Sequence, residues 1–473
     1  HCLVGENGAG KSTLMKVLSG VYPYGDYQGD IVFEGNVQKF RGINESEKVG
    51  IAIIYQELAL VPELTIYENI FLGNENKKGI FVDWNETIKK ATEMLKKVGL
   101  DVNPTLKIKE LGIGKQQLVE IAKALSRDVK LLILDEPTSA LNEGDSKNLL
   151  ELLRGLKAQG VTSVLISHKL KEVIDIADTV TVLRDGCTIK TLNAHQGEVT
   201  ENVLIKLMVG REIDNIYPKR ERIQNDEVVF EVKNWNAYDA KLGRAVVKDV
   251  NLNVRKSEIV GLAGLMGSGR TELALSIFGN STGYHLSGKM FIKGKEQHVR
   301  HPSDAIRHGM AYVTEDRKGN GLILIQDVKQ NITLANLKAI SVRGVVNSNA
   351  EVQIANEYKE NLNIKTPSVE QMVSNLSGGN QQKVCIGKWL FVAPSLLILD
   401  EPTRGIDVGA KYEIYLIMTK LVKQGMSIIM ISSELPEILG MSDRVYVVSS
   451  GRIAGEMPIE EATQENIMKL ATD

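Results

Sequence analysis

Apolar residues occur along the chain in short runs, and each run is followed by a polar loop and a segment with helical spacing. Residues 131–134 are all leucine or isoleucine, which is typical of a parallel strand that is buried on both faces. Residues 2–4 form a similar run, and after a glycine-rich loop the next apolar residues share one helical face: Leu14, Met15, Val17 and Leu18. Strand, loop and helix in this order predict an α/β fold.

The chain also repeats itself, which indicates how many modules it contains. The segment 5–12, Gly-Glu-Asn-Gly-Ala-Gly-Lys-Ser, recurs in altered form at 264–271, an offset of 259 residues. The segment 131–138, Leu-Leu-Ile-Leu-Asp-Glu-Pro-Thr, recurs unchanged at 396–403, an offset of 265, so the second copy is six residues longer in between. A chain of 473 residues is too long for one ordinary domain, and the repeat predicts two α/β modules.

The module boundaries follow from the repeat. We place the first module at residues 1–210 and the second at 227–473, joined by a polar linker at 211–226 that has neither helical nor strand periodicity. In the second module 36 residues separate Val228 from the glycine-rich loop, whereas only four residues precede the loop of the first. We therefore expect the first module to lack about 32 residues at its front, including its first strands.

The glycine-rich loop of the first module is predicted to bind phosphate. The pattern GxxxxGKS between a strand and a helix is the P-loop, whose backbone N–H groups close around a β-phosphate at the helix N-terminus. Lys11 would reach the β- and γ-phosphates, and Ser12 would hold Mg²⁺. A turn that merely caps a helix is the alternative, and it does not require all four fixed positions. The predicted ATP-binding residues are Gly5, Glu6, Asn7, Gly8, Ala9, Gly10, Lys11, Ser12 and Thr13, with Gly264, Gly267, Gly269, Arg270 and Thr271 in the second copy.

Two adjacent carboxylates end the apolar run at 131–134. Carboxylates at the end of a buried strand cost free energy unless they are used, which argues against the alternative of an exposed acidic strand end. Asp135 fits the role of a residue that binds Mg²⁺ beside a P-loop, and Glu136 is placed to polarise the attacking water as a general base.

A second glycine-rich helix start, Leu376-Ser377-Gly378-Gly379-Asn380-Gln381-Gln382, precedes the second acidic strand end by about 20 residues. The P-loop, the glycine-rich signature and the Asp-Glu strand end follow one another in this order along the chain. In this arrangement the chain resembles the ATP-binding cassette (ABC) proteins, and the resemblance covers essentially its whole length. It implies two tandem cassettes, each with a RecA-like core, an antiparallel β subdomain and a helical subdomain. In that family the signature of one module covers the γ-phosphate held by the other, which implies ATP contacts for Ser377, Gly378 and Gly379.

The resemblance assigns further roles in the first module. Gln56 is similar to the glutamine that helps to hold Mg²⁺ or water and links the site to a transmembrane partner. His168 is similar to the switch histidine that contacts the γ-phosphate. The predicted catalytic residues are therefore Glu136, His168 and Gln56, and the predicted metal ligands are Ser12, Gln56 and Asp135.

Four segments are similar, more narrowly, to the double-cassette ATP-binding subunits of bacterial monosaccharide importers: 20–29, 56–65, 315–318 and 399–413. Segment 20–29 is similar to the xylose-type subunits. The resemblance implies an ATPase that drives import of D-xylose or a related pentose or hexose. It also implies two copies of a transmembrane permease subunit, an extracytoplasmic sugar-binding protein, and a peripheral location on the cytoplasmic face of the bacterial cell membrane.

Pairing the modules crosswise, as the resemblance implies, predicts two unequal ATP sites. Site one has every catalytic role filled, by Lys11, Ser12, Gln56, Asp135, Glu136 and His168 with Ser377, Gly378 and Gly379. Site two combines Arg270, Thr271, Glu315, Asp400, Glu401 and Ser433 with Gly112, Ile113 and Gly114. It departs from the family pattern at four positions, Arg270, Glu315, Ser433 and Ile113, and we predict slow or absent turnover there. The first module's signature, 111–117, is expected to depart at the serine, at the second glycine and at the glutamine.

Composition and charge narrow the alternatives. A net charge of -2 supplies no attraction to nucleic acid, and no segment has the roughly 18 to 20 apolar residues that span a bilayer. A soluble double-cassette ATPase acting on ribosomes or nucleic acid is the runner-up, and the short linker and one poor site argue against it. A purely regulatory ATP-binding module conflicts with the complete first site. Trp235 and Tyr238 are candidates to stack on adenine, and core packing is the alternative for both.

Overall fold

The computed structural model describes every residue of the chain except 7, 56–57, 80, 139–140, 142, 168, 210–215, 221–224 and 473. The chain divides into two compact units, His1–Asp214 and Asn215–Asp473. Of the predicted linker, 211–226, the structure describes residues 216–220 and 225–226. Two of these, which belong to the second unit, contact later residues of that unit: the Tyr217 ring packs on Tyr415 at 5.4 Å between centroids, and Arg220 forms an ion pair with Asp443.

The first unit alternates strands and helices. Its strands are β1 (Cys2–Val4), β2 (Ile31–Phe33), β3 (Asn36–Gln38), β4 (Ile51–Ile54), β5 (Lys77–Lys78), β6 (Phe81–Val82), β7 (Leu131–Asp135), β8 (Thr162–Ile166), β9 (Thr179–Arg184) and β10 (Cys187–Asn193). Its helices are α1 (Lys11–Leu18), α2 (Ile43–Lys48), α3 (Ile66–Phe71), α4 (Trp84–Lys97), α5 (Ile113–Leu125), α6 (Glu143–Ala158), α7 (Leu170–Ile176) and α8 (Glu201–Val209). Short 3-10 turns lie at Ile108–Glu110 and Ala194–Gln196.

A six-stranded sheet forms the centre of the first unit, in the order β10-β9-β1-β8-β7-β4. The pairs among β9, β1, β8, β7 and β4 are all parallel, and β10 is antiparallel to β9. Helices α3, α4 and α5 pack on one another as a separate helical layer. The short strands β2 and β3 form an antiparallel pair, and β5 and β6 form another.

The second unit has the same alternation with a longer front. Its strands are β11 (Val228–Asp239), β12 (Arg244–Arg255), β13 (Ile259–Ala263), β14 (His285–Ile292), β15 (Lys295–Gln297), β16 (Met310–Val313), β17 (Ser341–Val342), β18 (Val345–Val346), β19 (Leu396–Asp400), β20 (Ser427–Ile431), β21 (Arg444–Ser449) and β22 (Arg452–Pro458). Its helices are α9 (Arg270–Ile277), α10 (Pro302–Arg307), α11 (Val328–Thr333), α12 (Ser348–Asn361), α13 (Gly378–Leu390), α14 (Val408–Lys423), α15 (Leu435–Met441) and α16 (Gln464–Thr472). A π-helical turn lies at Arg317–Gly321, and 3-10 segments lie at Leu334–Ile340 and Val373–Asn375.

The main sheet of the second unit repeats the first strand for strand. Its order is β22-β21-β13-β20-β19-β16, and each strand corresponds by the sequence repeat to its counterpart in the first unit. A four-stranded antiparallel sheet, β12-β11-β14-β15, lies beside it. In the first unit β2 and β3 correspond to the end of β14 and to β15. The predicted α/β fold with two tandem modules is therefore confirmed.

The six extra residues of the second module fall in three places. The offset between corresponding elements is 259 at β4 and β16, 262 at α3 and α11, 264 at α4 and α12, and 265 at α5 and α13. Three extra residues thus lie between β16 and α11, two between α11 and α12, and one between α12 and α13. The central strands and the P-loop helices are unchanged in length or register by the insertion.

The apolar strands are buried because both faces of each sheet are covered. In β13, Val260 and Leu262 join one core of the second unit, while Ile259 and Ala263 join the other. The alternation follows from the strand period of two residues. A strand of this kind carries no polar position until it ends, so polar side chains accumulate at the sheet edge where the P-loops lie.

Candidate functional site

The loop between β1 and α1 is held by close backbone contacts. A Cβ atom on Gly5 would lie 2.3 Å from the Leu183 carbonyl oxygen, so only glycine fits there. Gly10 has a φ of 95° and caps the N-terminus of α1, a conformation that glycine adopts without strain. The Gly186 N–H donates to the Ala9 carbonyl at 3.2 Å. The loop is thus fixed around a helix N-terminus, which favours an anion.

Lys11 lies across this loop. Its side chain is 7% exposed, and Nζ donates to the Gly5 and Glu6 carbonyls at 2.9 and 3.0 Å. The ammonium group is therefore positioned on the inner side of the loop by the loop's own backbone. This is the place that a phosphate-binding lysine requires.

Asp135 ends β7 beside the P-loop helix. Burial raises the pKa of its carboxyl group, and the nearby Ser12 side chain opposes that effect. A hydroxyl and a carboxylate side by side are oxygen ligands of the kind that a hard divalent cation prefers. The structure therefore brings together two of the predicted metal ligands, and they fit Mg²⁺.

Glu136 has a left-handed backbone conformation, with φ of 49°. Its N–H donates to the Ile166 carbonyl on β8 at 3.0 Å. Glu401 in the second module has φ of 47°, and its N–H donates to Ile431 at 2.9 Å. A non-glycine residue in this region costs on the order of 1 kcal/mol or more, and such strain is commonly found at functional sites.

Three of the predicted site residues, Asn7, Gln56 and His168, lie outside the described residues. The neighbours of His168 are described: Ser167 is buried, and its Oγ accepts a hydrogen bond from the Lys169 N–H at 3.1 Å. The roles of Asn7, Gln56 and His168 stay predictions.

The second P-loop keeps the backbone of the first. A Cβ on Gly264 would lie 2.4 Å from the Val448 carbonyl, and Gly451 N–H donates to Ser268 at 2.7 Å. Gly267 and Gly269 have φ of 77° and 105°, close to the values of Gly8 and Gly10 in the first module. Over the residues that the structure describes in both loops, the two therefore differ in side chains and share their path.

Arg270 does not bind its own loop as Lys11 does. Its Nη1 donates to the Ser432 carbonyl, just beyond the end of β20, at 2.6 Å, and lies 3.8 Å from Glu401 Oε1. The side chains of this ion pair are only 8% and 11% exposed. Burial lowers the pKa of Arg270 and raises that of Glu401, and the Coulomb attraction between them opposes both effects.

Further hydrogen bonds engage the second module's carboxylates. Ser433 Oγ donates to Glu401 Oε2 at 3.0 Å, so both oxygens of Glu401 interact with protein groups. Tyr312 Oη donates to Asp400 Oδ2 at 2.8 Å. Asp400 is fully buried, which raises its pKa to about 6.

Tyr312 is a site residue that the sequence reasoning missed. By the offset of 259 it occupies the position of Ile53, which has no hydrogen-bonding side chain. A comparison of the two copies residue by residue along β4 and β16 would have found it. The first module offers Asp135 no such partner from that position.

The signature helix α13 begins at a serine and two closely packed glycines. Asn380 Nδ2 donates to Ser377 Oγ at 2.9 Å. A Cβ on Gly379 would lie 2.5 Å from the Ala410 side chain of α14, and one on Gly378 would lie 2.8 Å from Arg317 Nη2. These glycines allow two helices and the 315–321 turn to approach closely.

The corresponding helix α5 differs at its first residue. Ile113 replaces the first glycine and is 54% exposed, and Gly112 takes the N-cap position of Ser377. The expected departures at the second glycine and at the glutamine are both wrong, because Gly114 keeps the second glycine and Gln116 keeps the glutamine. Gln116 and Gln381 take the same position, because their Nε2 atoms donate to the Ile108 and Val373 carbonyls, which correspond by the offset of 265.

Glu315, the predicted counterpart of Gln56, forms an ion pair with Arg404. Arg317 donates to the carbonyls of Arg404 and Gly405 at 2.8 and 3.2 Å. The 315–321 turn is thus bonded to the loop that follows β19, and Glu315 is engaged by a cation of its own module.

The two candidates for stacking on adenine, Trp235 and Tyr238, differ in how deeply their side chains are buried. Trp235 is 6% exposed, and its Nε1 donates to Ser276 at 2.9 Å, so core packing accounts for it. Tyr238 is 43% exposed and pairs across the sheet with Ala245, next to Val246. The Val246 carbonyl lies 2.9 Å from the position of a Cβ on Gly269, which places Tyr238 near the rim of the second P-loop.

Two parallel sheets, each with a P-loop at the start of a helix and paired carboxylates at a nearby strand end, define a P-loop nucleotide-binding protein with two modules. The sequence profile of the ABC transporter family matches residues 1–139 and 247–404. The chain belongs to the ABC transporter family. Among the described residues, no helix combines the length and the apolar character needed to cross a bilayer.

Curated relatives span the whole chain. The L-arabinose transport ATP-binding protein AraG of Geobacillus stearothermophilus is 59% identical over 473 residues, covering 100% of this chain and 92% of the relative. The xylose import ATP-binding protein XylG of Thermoanaerobacter pseudethanolicus is 56% identical, covering 100% and 93%. The solved archaeal ribosome recycling factor aABCE1, in complex with ribosomal stalk protein aP1, is similar at 20% identity with a TM-score of 0.59, covering 99% of this chain and 87% of that chain. That last likeness shows the fold alone.

Proposed function

We propose that this chain is the ATP-hydrolysing, energy-coupling subunit of an ABC importer for a monosaccharide, D-xylose or a related pentose or hexose. The observation that carries the proposal is the first P-loop, where Lys11 lies on the inner side of the loop and Ser12 lies beside Asp135. Relatives with 59% and 56% identity that are named for L-arabinose transport and xylose import support the substrate class.

The residues of the first module divide the chemistry among them. Lys11 and the loop N–H groups bind the β- and γ-phosphates, and Glu136 orients and polarises the attacking water. His168 contacts the γ-phosphate, and Gln56 completes the metal ligands with Ser12 and Asp135. Mg²⁺, when bound, neutralises charge on the phosphate oxygens. Pairing of this P-loop with Ser377, Gly378 and Gly379 is part of the proposal and rests on the family resemblance.

The second P-loop belongs to the proposal as a site of slow or absent turnover. Arg270 and Ser433 both engage the Glu401 carboxylate, the counterpart of the general base. Because both oxygens of this carboxylate are already held, one by a guanidinium and one by a hydroxyl, it has less capacity to accept a hydrogen bond from an attacking water. Hydrolysis is therefore assigned to the first P-loop.

The partners follow from the function. We propose two copies of a transmembrane permease subunit and an extracytoplasmic sugar-binding protein, with this chain peripheral on the cytoplasmic face of the bacterial membrane. A nucleic-acid role is disfavoured by the net charge of -2.

Uptake of labelled D-xylose, L-arabinose and D-ribose tests the proposal in cells with and without this subunit, complemented by the wild type or by Lys11→Ala. We expect uptake of one pentose to be lost without the subunit and not restored by Lys11→Ala. Unchanged uptake of all monosaccharides, together with recovery of ribosomes instead of permease subunits from a membrane extract, would favour the runner-up ATPase.

A further inference from the structure

The guanidinium of Arg270 joins three segments of the second module. Arg270 is the first residue of α9. Its guanidinium donates to the Ser432 carbonyl beyond β20 at 2.6 Å and lies 3.8 Å from the Glu401 carboxylate after β19. Lys11, at the corresponding position, donates to the Gly5 and Glu6 carbonyls of its own loop. The Arg270 side chain therefore extends from the second P-loop to the residues that follow β19 and β20.

This path crosses the space that a third phosphate needs. In a P-loop site the β-phosphate lies in the loop at the helix N-terminus, and the terminal phosphate faces the carboxylate that orients the attacking water. A side chain that starts at the loop and contacts that carboxylate therefore occupies the space between the β-phosphate and the carboxylate. The Arg270 guanidinium contacts Glu401, so it lies where a terminal phosphate would approach.

The guanidinium is also held in this place. The ion pair is almost fully buried, and Ser433 Oγ fixes the other oxygen of Glu401 at 3.0 Å. Moving Arg270 aside would leave a buried carboxylate without its cation, which is strongly unfavourable. A diphosphate needs only the loop, whose backbone is the same as in the first module, and requires no such movement.

We propose that the second P-loop binds a nucleoside diphosphate in preference to a triphosphate, with the Arg270 guanidinium occupying the position of the third phosphate. The inference rests on the proposed function, since it requires that the second P-loop binds nucleotide. It makes this loop a site that retains the product of hydrolysis, and it assigns Arg270 as the residue that sets the preference.

Calorimetric titration of the full chain tests the preference, with Lys11→Ala disabling the first loop. The ligands are ADP and the non-hydrolysable analogue AMP-PNP, each in the presence of Mg²⁺. We expect ADP to bind at least about tenfold more tightly than AMP-PNP to the Lys11→Ala chain. Adding Arg270→Lys should bring the two dissociation constants within about threefold, because lysine is too short to reach Glu401. Arg307→Lys, at an exposed arginine on α10, is the matched control and should leave the ratio unchanged.

Two results would overturn the inference. AMP-PNP binding as tight as ADP in the Lys11→Ala chain shows that Arg270 moves aside for the third phosphate. Failure of both nucleotides to bind to the Lys11→Ala chain would show that the second P-loop has no affinity for nucleotide. Sugar uptake by wild-type cells is measured separately, so loss of the diphosphate preference and loss of the proposed import function remain distinguishable.

Discussion

Thr138 Oγ1 donates to Glu172 Oε2 at 2.6 Å, and this hydrogen bond joins the loop after Glu136 to helix α7. Lys169 supports it by donating to the Thr138 carbonyl at 2.8 Å and lying 3.2 Å from Glu172. In the second module Thr403 donates to Glu437 at 2.9 Å in the same way. Each module thus has a carboxylate that connects the loop after the Asp-Glu strand end to the helix that follows the next strand.

Removing this connection in the first module should slow hydrolysis. Glu172→Ala frees the loop that carries Glu136, so we expect kcat for ATP to fall about tenfold, equivalent to about 1.4 kcal/mol, with KM changed less than about threefold. Steady-state phosphate release by the assembled transporter measures both constants.

The second module supplies the matched control. Glu437→Ala removes the corresponding carboxylate from a module to which we assign little turnover, so kcat should change less than about twofold. Glu172→Gln, which keeps an oxygen for the Thr138 hydroxyl, should retain most of the rate. Equal losses of kcat in Glu172→Ala and Glu437→Ala would indicate a purely structural role.

Glu136 and Glu401 occupy equivalent positions in the two modules, and substitution should distinguish their roles. Glu136→Gln is expected to reduce the ATPase rate of the complex by about a hundredfold or more, because amide nitrogen and oxygen cannot accept the proton from water. Glu401→Gln should change the rate by less than about threefold, since Glu401 is already engaged by Arg270 and Ser433. Comparable losses in both variants would contradict the assignment of hydrolysis to the first P-loop.

Tyr312 contributes to the stability of the second module through its hydrogen bond to a buried carboxylate. Tyr312→Phe leaves Asp400 Oδ2 without that donor, and we expect a loss of about 1 to 3 kcal/mol in the free energy of unfolding. A lower urea midpoint in the nucleotide-free chain measures it. Tyr238→Phe, at an exposed tyrosine of the same module, should leave the midpoint unchanged.

Gly379 permits close packing of α13 on α14. In Gly379→Ala the new Cβ would meet the Ala410 side chain at 2.5 Å, so the signature helix must shift, and we expect a destabilisation of about 1 to 3 kcal/mol together with weaker ATPase activity. Gly112→Ala in the first module places its Cβ in open space and should be nearly neutral. Thermal unfolding and ATPase rates of the two variants test the difference.

Glu437 should make the second module's stability depend on pH. Burial raises its pKa to about 7 from an ordinary value of 4.5, so the folded state binds the proton more tightly than the unfolded state between these values. The wild type therefore loses stability as the pH rises from about 5 to about 8, by on the order of 2 kcal/mol. Glu437→Gln cannot ionise, and its urea midpoint relative to wild type should rise over that range. A constant difference at every pH would contradict this.

The sequence predicted those features that local patterns carry. The apolar runs gave the strands, and the glycine spacing located the P-loops, because both depend on residues that are close along the chain. It could not predict that Tyr312 reaches Asp400, a residue 88 positions away, or that Arg270 turns towards Ser432. Such contacts depend on which strands become neighbours. Comparison of the two modules position by position, as at Ile53 and Tyr312, is the one local means of finding them.

The left-handed backbone at Glu401 has a consequence for how the two modules diverged. The second module keeps this strained conformation, with φ of 47° against 49° at Glu136, and keeps the path of its P-loop. The differences at Arg270 and Ser433, by contrast, are differences of side chain. If the second module turns over slowly as predicted, its backbone is still that of a hydrolytic centre, and substitution of a few side chains should be enough to restore activity.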